Sequence, residues 1–455
     1  MEKLKENKMG TDSIFKLTVS MSIPAMIAMF IQAMYNIVDS FYVARIGENV
    51  LTAVSLAYPI QVLSAAVAIG TSVGINSLVS RCLGNEDREK ANKISTHGII
   101  LGLFSYILFA IFGLFFSRLF VSSFTNFQQI IDMGTDYLVI INLFSFGVFI
   151  ELNIEKSIQA TGNTVYPMIS QLIGAITNII LDPIFIFGFG FIPAMGIKGA
   201  AIATVIGEIS AMLFILFIAK KKENIVSITF KNFKLDFSII KEIYSVGFPS
   251  IIMQSISSIM VVLMNIILIS FTETAVAFLG IYFKLQTFIF MPVFGLCQGI
   301  MPIMGYNFGA KNKKRLISTL KTGLLISTVI MTIGTIIFMI FPKEMLNIFN
   351  ASNLMISIGV PALRTISLSF ISAAFGITIS TFFQAIGNGY YSLIISVSRQ
   401  LLALIPVSYL LSKISLSAVW YAFPLSEIIS LLACIILFIK TYKNVINNLE
   451  NNNVI

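Results

Sequence analysis

Apolar positions in this chain come in long runs separated by short polar breaks, and each run exceeds the roughly 20 residues an α-helix needs to cross a hydrocarbon core. Reading from break to break predicts helices at about 14–38, 50–77, 93–117, 133–157, 163–187, 195–219, 239–268, 275–306, 315–341, 353–384, 390–412 and 416–440. Backbone amides find no water inside a bilayer, so runs of this kind persist only as helices packed together. The first run, from Ile14, is too long for a signal-peptide core and lacks a convincing small-residue cleavage site, so it counts as helix 1. The pattern predicts an all-α membrane protein with twelve transmembrane helices.

Composition agrees. Of 455 residues, 57% are apolar and 11% charged, against roughly 25% charged in ordinary soluble domains. The formal net charge of +9 would suit a nucleic-acid partner if it formed a patch, so its distribution decides the matter. With the N-terminus inside, 22 of the 30 Lys and Arg fall in cytoplasmic segments. Five lie on the opposite face (Arg45, Arg118, Lys198, Lys343, Lys413), and Lys284, Arg364 and Arg399 lie inside predicted spans. This asymmetry is the positive-inside rule. It predicts a multi-pass protein of the cell (inner) membrane with both termini cytoplasmic, and the charge calls for no nucleic acid.

Sliding the second half over the first brings distinctive positions together at one displacement of 225 residues. Pro24 meets Pro249, Gln61 meets Gln286, Gly74 meets Gly299 and Gly84 meets Gly309. Gln159-Ala160-Thr161-Gly162-Asn163 returns as Gln384-Ala385-Ile386-Gly387-Asn388. The pairs Gly84/Gly309 and Gly162/Gly387 fall in predicted turns, where left-handed backbone favours glycine. Six helices per half give both halves the same orientation, hence a parallel repeat about an axis along the membrane normal. The organisation expected is an N-terminal six-helix bundle at 1–219, a basic cytoplasmic linker at 220–238 and a C-terminal bundle at 239–455. Transporters place their sites at or near such repeat interfaces, and two bundles suffice for a monomer.

A charge at the bilayer centre costs at least about 2.5–3.5 kcal/mol, so intramembrane acids are functional candidates. Asp39, Glu151, Asp182, Glu208 and Glu427 lie in or at the edge of spans, with Glu155 near a helix end. Asp39 closes outward-running helix 1, and Asp182 lies far along outward-running helix 5. Asn178, four residues before Asp182, shares its helix face, and Thr204 enters helix 6 at similar depth. Asp39, Asn178, Asp182 and Thr204 can therefore converge as a coupling-cation site. Two adjacent carboxylates cannot both ionise cheaply, which suits a proton carrier; the all-oxygen set equally suits sodium. Asp39 also reads as an interfacial acid beside Arg45, and Asp182, preceding Pro183, as a local helix breaker. Candidate cavity residues are Gln32, Tyr35, Asn36, Gln61, Glu151, Gln254, Lys284, Gln286 and Arg399. Lys284 and Arg399 read alternatively as structural partners of Glu151 or Glu427.

His97 is the one histidine, without a second ligand at metal spacing, and reads as structural or solvated. Cys82, Cys297 and Cys434 are scattered singly and read as packing residues. No Walker A motif, glycine-rich nucleotide loop or HExxH occurs, so neither an ATP-driven pump nor an intramembrane zinc protease is supported. No cofactor and no catalytic residue is expected.

Several segments, in order and spacing, carry a resemblance: Tyr35-Asn36-Ile37-Val38-Asp39-Ser40 with Gly47, Gly84-Asn85-Glu86-Asp87, and Gln159 to Asn163 with its second copy. Asn178 with Asp182, and Gly199-Ala200-Ala201-Ile202-Ala203-Thr204, add to them. With these, the chain resembles the multidrug and toxic compound extrusion (MATE) family over essentially its whole length, and within it the MepA-type bacterial branch. The resemblance implies a V-shaped pair of six-helix bundles that alternates between inward- and outward-open states. It implies export of amphiphilic, often cationic small molecules driven by proton or sodium entry, with family cation-site residues carried onto Asp39, Asn178, Asp182 and Thr204. Some members also use an acid in helix 7; this chain has Gln254, Ser257 and Ser258 in that region, which argues against a sodium site there. The alternative is a flippase or exporter for a lipid-linked glycan precursor, of the same superfamily architecture, which would be expected to offer a basic cavity. A membrane enzyme would need a polar catalytic cluster beyond the Asp/Asn/Thr set.

Overall fold

In the computed structural model, residues 7–221, 227–231 and 233–449 are described. Lys222, Glu223 and Asn224 of the predicted linker, and residues 450–455 of the predicted second bundle, lie outside them. Among the described residues ten helices are long and apolar enough to cross a membrane, and two bent pairs make twelve if each is one span. In chain order these are α1 (Ile14–Ile46), α2 (Glu48–Gly84), α3 (Arg88–Ser122), α4 (Gln128–Leu143 and Phe146–Ala160), α5 (Val165–Phe187) and α6 (Ile197–Lys221). The second half repeats them as α7 (Phe237–Ile269), α8 (Glu273–Gly309), α9 (Lys313–Ile340), α10 (Asn353–Ser367 and Phe370–Ala385), α11 (Gly389–Ser412) and α12 (Leu416–Ile446). At the displacement of 225, α2 and α8 begin and end on equivalent residues.

The predicted spans all appear, most of them longer at their ends. The 37 residues of α2 and of α8 extend roughly 55 Å at 1.5 Å per residue, well beyond the hydrocarbon core, so their ends carry polar residues into water. What the apolar pattern did not disclose is the bend in α4, 42°, and in α10, 49°. A serine sits at the break of each pair. Ser145 Oγ donates to the Asn142 carbonyl at 2.9 Å, and Ser369 Oγ to that of Ile366 at 2.6 Å. Each hydroxyl competes with the helix's own amides for a carbonyl, which bends the ladder.

The halves meet through a twofold-like exchange of contacts. Ser22 and Met26 of α1 lie against Gly299 and Gly295 of α8; the equivalent Gly247 and Ile251 of α7 lie against Gly74 and Gly70 of α2. A side chain on any of these four α2 and α8 glycines would strike main chain on the opposing helix. Small residues are how helices approach closely where lipid gives no hydrophobic drive to association. The same explanation replaces the turn expectation for Gly84 and Gly309. Neither has positive φ; each abuts the partner helix, Gly84 at the Tyr306 carbonyl and Gly309 at that of Arg81. The left-handed residues of those turns are Glu86 (φ 61°) and Lys311 (φ 55°), while Gly162 (φ 93°) and Gly387 (φ 89°) are left-handed as expected.

Polar contacts reinforce the crossing at one end. Ser77 Oγ donates to the Gln384 carbonyl at 2.5 Å, and Lys90 pairs with Glu242 at 2.9 Å. The fully buried Met9, in the short helix Lys8–Thr11 ahead of α1, packs with Leu17, Met21 and Ile303. Its carbonyl accepts from Asn307 Nδ2 at 3.1 Å and from an Arg315 nitrogen at 3.0 Å. Lys313 Nζ donates to Asn447 at 2.8 Å, so the two ends of the described chain lie at the same end of the molecule. His97 is structural. It is buried, its Nδ1 lies 2.7 Å from the Lys93 carbonyl, Nε2 accepts from the Asp236 amide at 2.9 Å, and its ring lies against Phe233, pinning the end of the inter-half connection to α3.

The crossing can be tested on its glycines. Replacing Gly299 by Leu forces main chain apart, a change that exceeds ordinary overpacking costs of about 1–3 kcal/mol. It is expected to lower the melting midpoint strongly in detergent. Gly280→Ala, where nothing stands within 4 Å of the added carbon, should leave the midpoint unchanged or raise it. Equal behaviour of the two variants would sink this account of the interface.

Candidate functional site

Inside the first bundle, α5 packs between α1 and α6, and the polar residues of these helices meet on their shared faces. Asn178 Nδ2 donates to Asp182 Oδ1 at 3.4 Å and to Thr204 Oγ1 at 3.3 Å, so three of the four predicted coupling residues form one contiguous group. Asp182 is fully buried and Asn178 nearly so, and Asp182 Oδ2 and Asn178 Oδ1 have no hydrogen-bond partner. An unpaired buried polar oxygen costs about 1–3 kcal/mol, so the group is incomplete as it stands. Asp39, half-buried on α1, lies within electrostatic range of Asp182 and of Tyr35 one turn earlier. The four predicted residues thus occupy one region of the bundle.

Two further residues belong there that the sequence reading did not place in the site. Tyr137 of α4, 4% exposed, takes the Gln61 amide at 3.0 Å and lies within electrostatic range of Asp39, Asp182 and Glu208. Glu208 of α6 stands one turn past Thr204 and interacts with Tyr35 and Tyr137. The Thr204–Glu208 spacing of four was the available signal for Glu208. Nothing in the local sequence singles out Tyr137.

The predicted cavity residues divide into two kinds. Tyr35 contacts Thr204, Gln32 Nε2 donates to Asn36 Oδ1 at 3.4 Å on the exposed side of α1, and Gln61 holds Tyr137. Gln254 and Lys284 are exposed on α7 and α8, and Gln286 is half-buried. Among the described residues Glu151 pairs with no basic side chain: it is buried and accepts from Ser170 Oγ at 3.2 Å. Arg399 does pair with Glu427, at 3.5 Å. Lys156, counted from sequence among the cytoplasmic charges, is instead buried. It pairs with Glu155 at 3.3 Å and donates to Gln298 Oε1 of α8 at 2.6 Å, while Gln171 Nε2 donates to both Glu155 oxygens at 3.1 Å. Burial of such a pair is tolerable only with these extra hydrogen bonds.

Two copies of the MatE family model match the chain, at residues 24–184 and 249–410, together more than half of it. The chain belongs to the MatE family. The matched segments start 225 residues apart, the displacement of the repeat. Among curated relatives, the multidrug export protein MepA of Staphylococcus aureus (strain bovine RF122 / ET3-1) is 25% identical over 426 residues, 93% of each chain. The protein of the same name from Staphylococcus saprophyticus is 25% identical over 427 residues, again 93% of each. Among solved structures, the outward-facing conformation of a multidrug resistance MATE family transporter of the MOP superfamily matches at 26% identity, TM-score 0.90, covering 98% of this chain and 99% of that one. A MOP superfamily transporter from Pyrococcus furiosus, whose binding pocket is described as reversed in polarity, matches at 27% identity and TM-score 0.90, covering 99% and 100%. Membership in the MatE family and the run of apolar helices make this a multi-pass membrane protein.

The incomplete hydrogen bonding of the site predicts a stability change. Asp182→Asn removes a buried ionisable group within electrostatic range of Asp39 and keeps an oxygen to accept from Asn178 Nδ2. It is expected to hold or raise the melting midpoint at neutral pH, by the equivalent of about 1 kcal/mol. A marked fall in midpoint would show that the Asp182 carboxylate is needed for folding.

Proposed function

We propose that this protein is a cation-coupled antiporter that exports amphiphilic, often cationic small molecules by alternating access, with Asp39, Asn178, Asp182 and Thr204 as the coupling site. The observation that carries the reading is the buried Asn178–Asp182–Thr204 group with its orphan oxygens, in electrostatic contact with Asp39. A proton or a sodium ion at that place would satisfy oxygens that the protein leaves unpaired. The names of the relatives, multidrug export proteins and multidrug resistance transporters, support the substrate class. The acids of the first bundle favour cationic cargo over the phosphate-bearing lipid of the flippase alternative.

Alternating access draws support from where the halves touch. Their contacts run from Met9 to Met29 on the first helix and its approach, the last being Gln298 Nε2 donating to Met29 Sδ at 3.2 Å. Beyond that level the faces of α1 and α7 that touch the other half become exposed, at Asn36, Ser40 and Ala44 and at Gln254 and Ser258. In this reading the end bearing the basic loops and both termini is cytoplasmic and closed, and the other is open. The protein acts as a monomer in the cell membrane, without cofactor and without a chemical reaction.

Efflux of a fluorescent organic cation from vesicles, under separate proton and sodium gradients, tests this. Wild type is expected to respond to one gradient, and Asp39→Asn and Asp182→Asn each to lose at least tenfold of the gradient-driven rate, about 1.4 kcal/mol or more in barrier terms. Wild type unresponsive to both gradients, or both variants unaffected, would remove the assignment.

A further inference from the structure

The second bundle carries no counterpart of Asp39 or Asp182, yet it buries a carboxylate with one oxygen unused. Glu427 of α12 meets Arg399 of α11 at 3.5 Å, with side chains 12% and 23% exposed. Its Oε2 is buried without a hydrogen-bond partner, and so is Oγ of Ser430, a fully buried residue three positions along the same helix face. Both atoms lie against Gly376 of α10. A carbon added to Gly376 of α10 would stop 3.9 Å from Ser430 Oγ and 4.0 Å from Glu427 Oε2. Tyr282 of α8, 2% exposed, and Cys434 of α12 lie within electrostatic range of both Glu427 and Arg399. The facing stretch of α10, Phe370–Ala385, contains no ionisable residue.

Two observations mark this as a built site. By the repeat, Gly376 stands where Glu151 stands in the first bundle, so α10 omits the carboxylate of α4 and α12 supplies one beside the glycine. Glu427 corresponds to Ile202, within one turn of Thr204, which sets it at the depth of the first-bundle group. Independently, the backbone carrying Arg399 is π-helical over Ser398–Leu404, a rare geometry concentrated at functional sites. Gln400 of the same segment accepts from Ser257 Oγ of α7 at 3.1 Å, tying it to a helix that crosses to the first half.

We propose that Glu427 is a second proton-accepting site, separate from the Asp39–Asp182 group, and that Arg399 serves as its exchangeable counter-charge. A proton added to Oε2 neutralises the carboxylate and occupies an oxygen that the protein leaves without a partner. Arg399, its counter-charge neutralised, is then free to draw away, which couples protonation to the π-helical segment. Two orphan oxygens beside a guanidinium are a poor shell for a hard cation, so the ligand is a proton rather than sodium.

The proposal deepens the antiport reading and rests on it for its role in transport, but the protonation can be measured without transport. Infrared spectra of the purified full chain, acidified stepwise, report carboxylic-acid carbonyl absorbance. Glu427→Gln is expected to remove one component that the Asp39→Asn/Asp182→Asn double variant retains, and Glu427→Asp to restore a shifted one. Identical spectra for wild type and Glu427→Gln would overturn the site. In vesicles, the proton-to-substrate ratio from reversal conditions should fall by one in Glu427→Gln and stay unchanged in Glu273→Gln, at the far end of α8. An unchanged ratio, or coupling to sodium alone, would overturn the transport role while leaving the antiport reading intact. Loss of transport in neither first-bundle variant, with the Glu427 band still present, would instead overturn the first-bundle assignment and leave this site standing.

Discussion

The close crossing of α1 with α8 and of α2 with α7 is the constraint on which the rest of the molecule depends. In lipid, helices gain little by hiding apolar surface from one another, so association rests on near approach of main chain and on polar contacts. Glycines at 70, 74, 295 and 299 permit that approach, and the repeat supplies each in pairs. Because the contact is twofold-like, each half presents both partners of it. The long exposed faces of α1 and α7 beyond the crossing follow from the same geometry, since helices that meet so closely at one level must diverge at another.

Charge is placed with respect to that crossing. At the crossing end, buried or half-buried ionic groups are paired and hydrogen-bonded: Glu155 with Lys156 and Gln171, Lys90 with Glu242, Arg315 with the carbonyls of Met9 and Asp12. Inside each bundle oxygens are left over, on Asp182 and Asn178 in one half and on Glu427 and Ser430 in the other, as they also are on Gln171 and Asn307 nearer the crossing. Paired charges hold an interface, whereas unpaired oxygens in a low dielectric bind whatever satisfies them.

Membership in the MatE family accounts for the architecture, and the two matched segments follow the internal repeat. The halves are nonetheless unequal chemically. One presents a cluster of acids on α1, α5 and α6, and the other an acid and an arginine on α12 and α11. The repeat preserves the helices and the crossing, while the two interiors differ in the side chains they carry.

The number and order of the helices, the displacement of 225, the side on which basic residues gather and the grouping of Asn178 with Asp182 and Thr204 could all be read from the chain. Each depends on local facts: the length of an apolar run, the identity of loop residues, or a spacing of four along a helix. Other features depended on which helices became neighbours. Tyr137 joins the site from a distant span through Gln61; Lys156, by position a charge at the cytoplasmic end of a predicted span, is buried beside Glu155 and bonded across the halves to Gln298; and Gly84 and Gly309, by position turn glycines, are helix-contact residues. The bends at Ser145 and Ser369 lay between these cases, since a serine can bond its own helix or a neighbour and only the packed structure chooses. Sequence thus determined which segments enter the membrane, because a residue's cost in lipid is its own. The tertiary structure decided which polar groups are satisfied, because that depends on the partner each one meets.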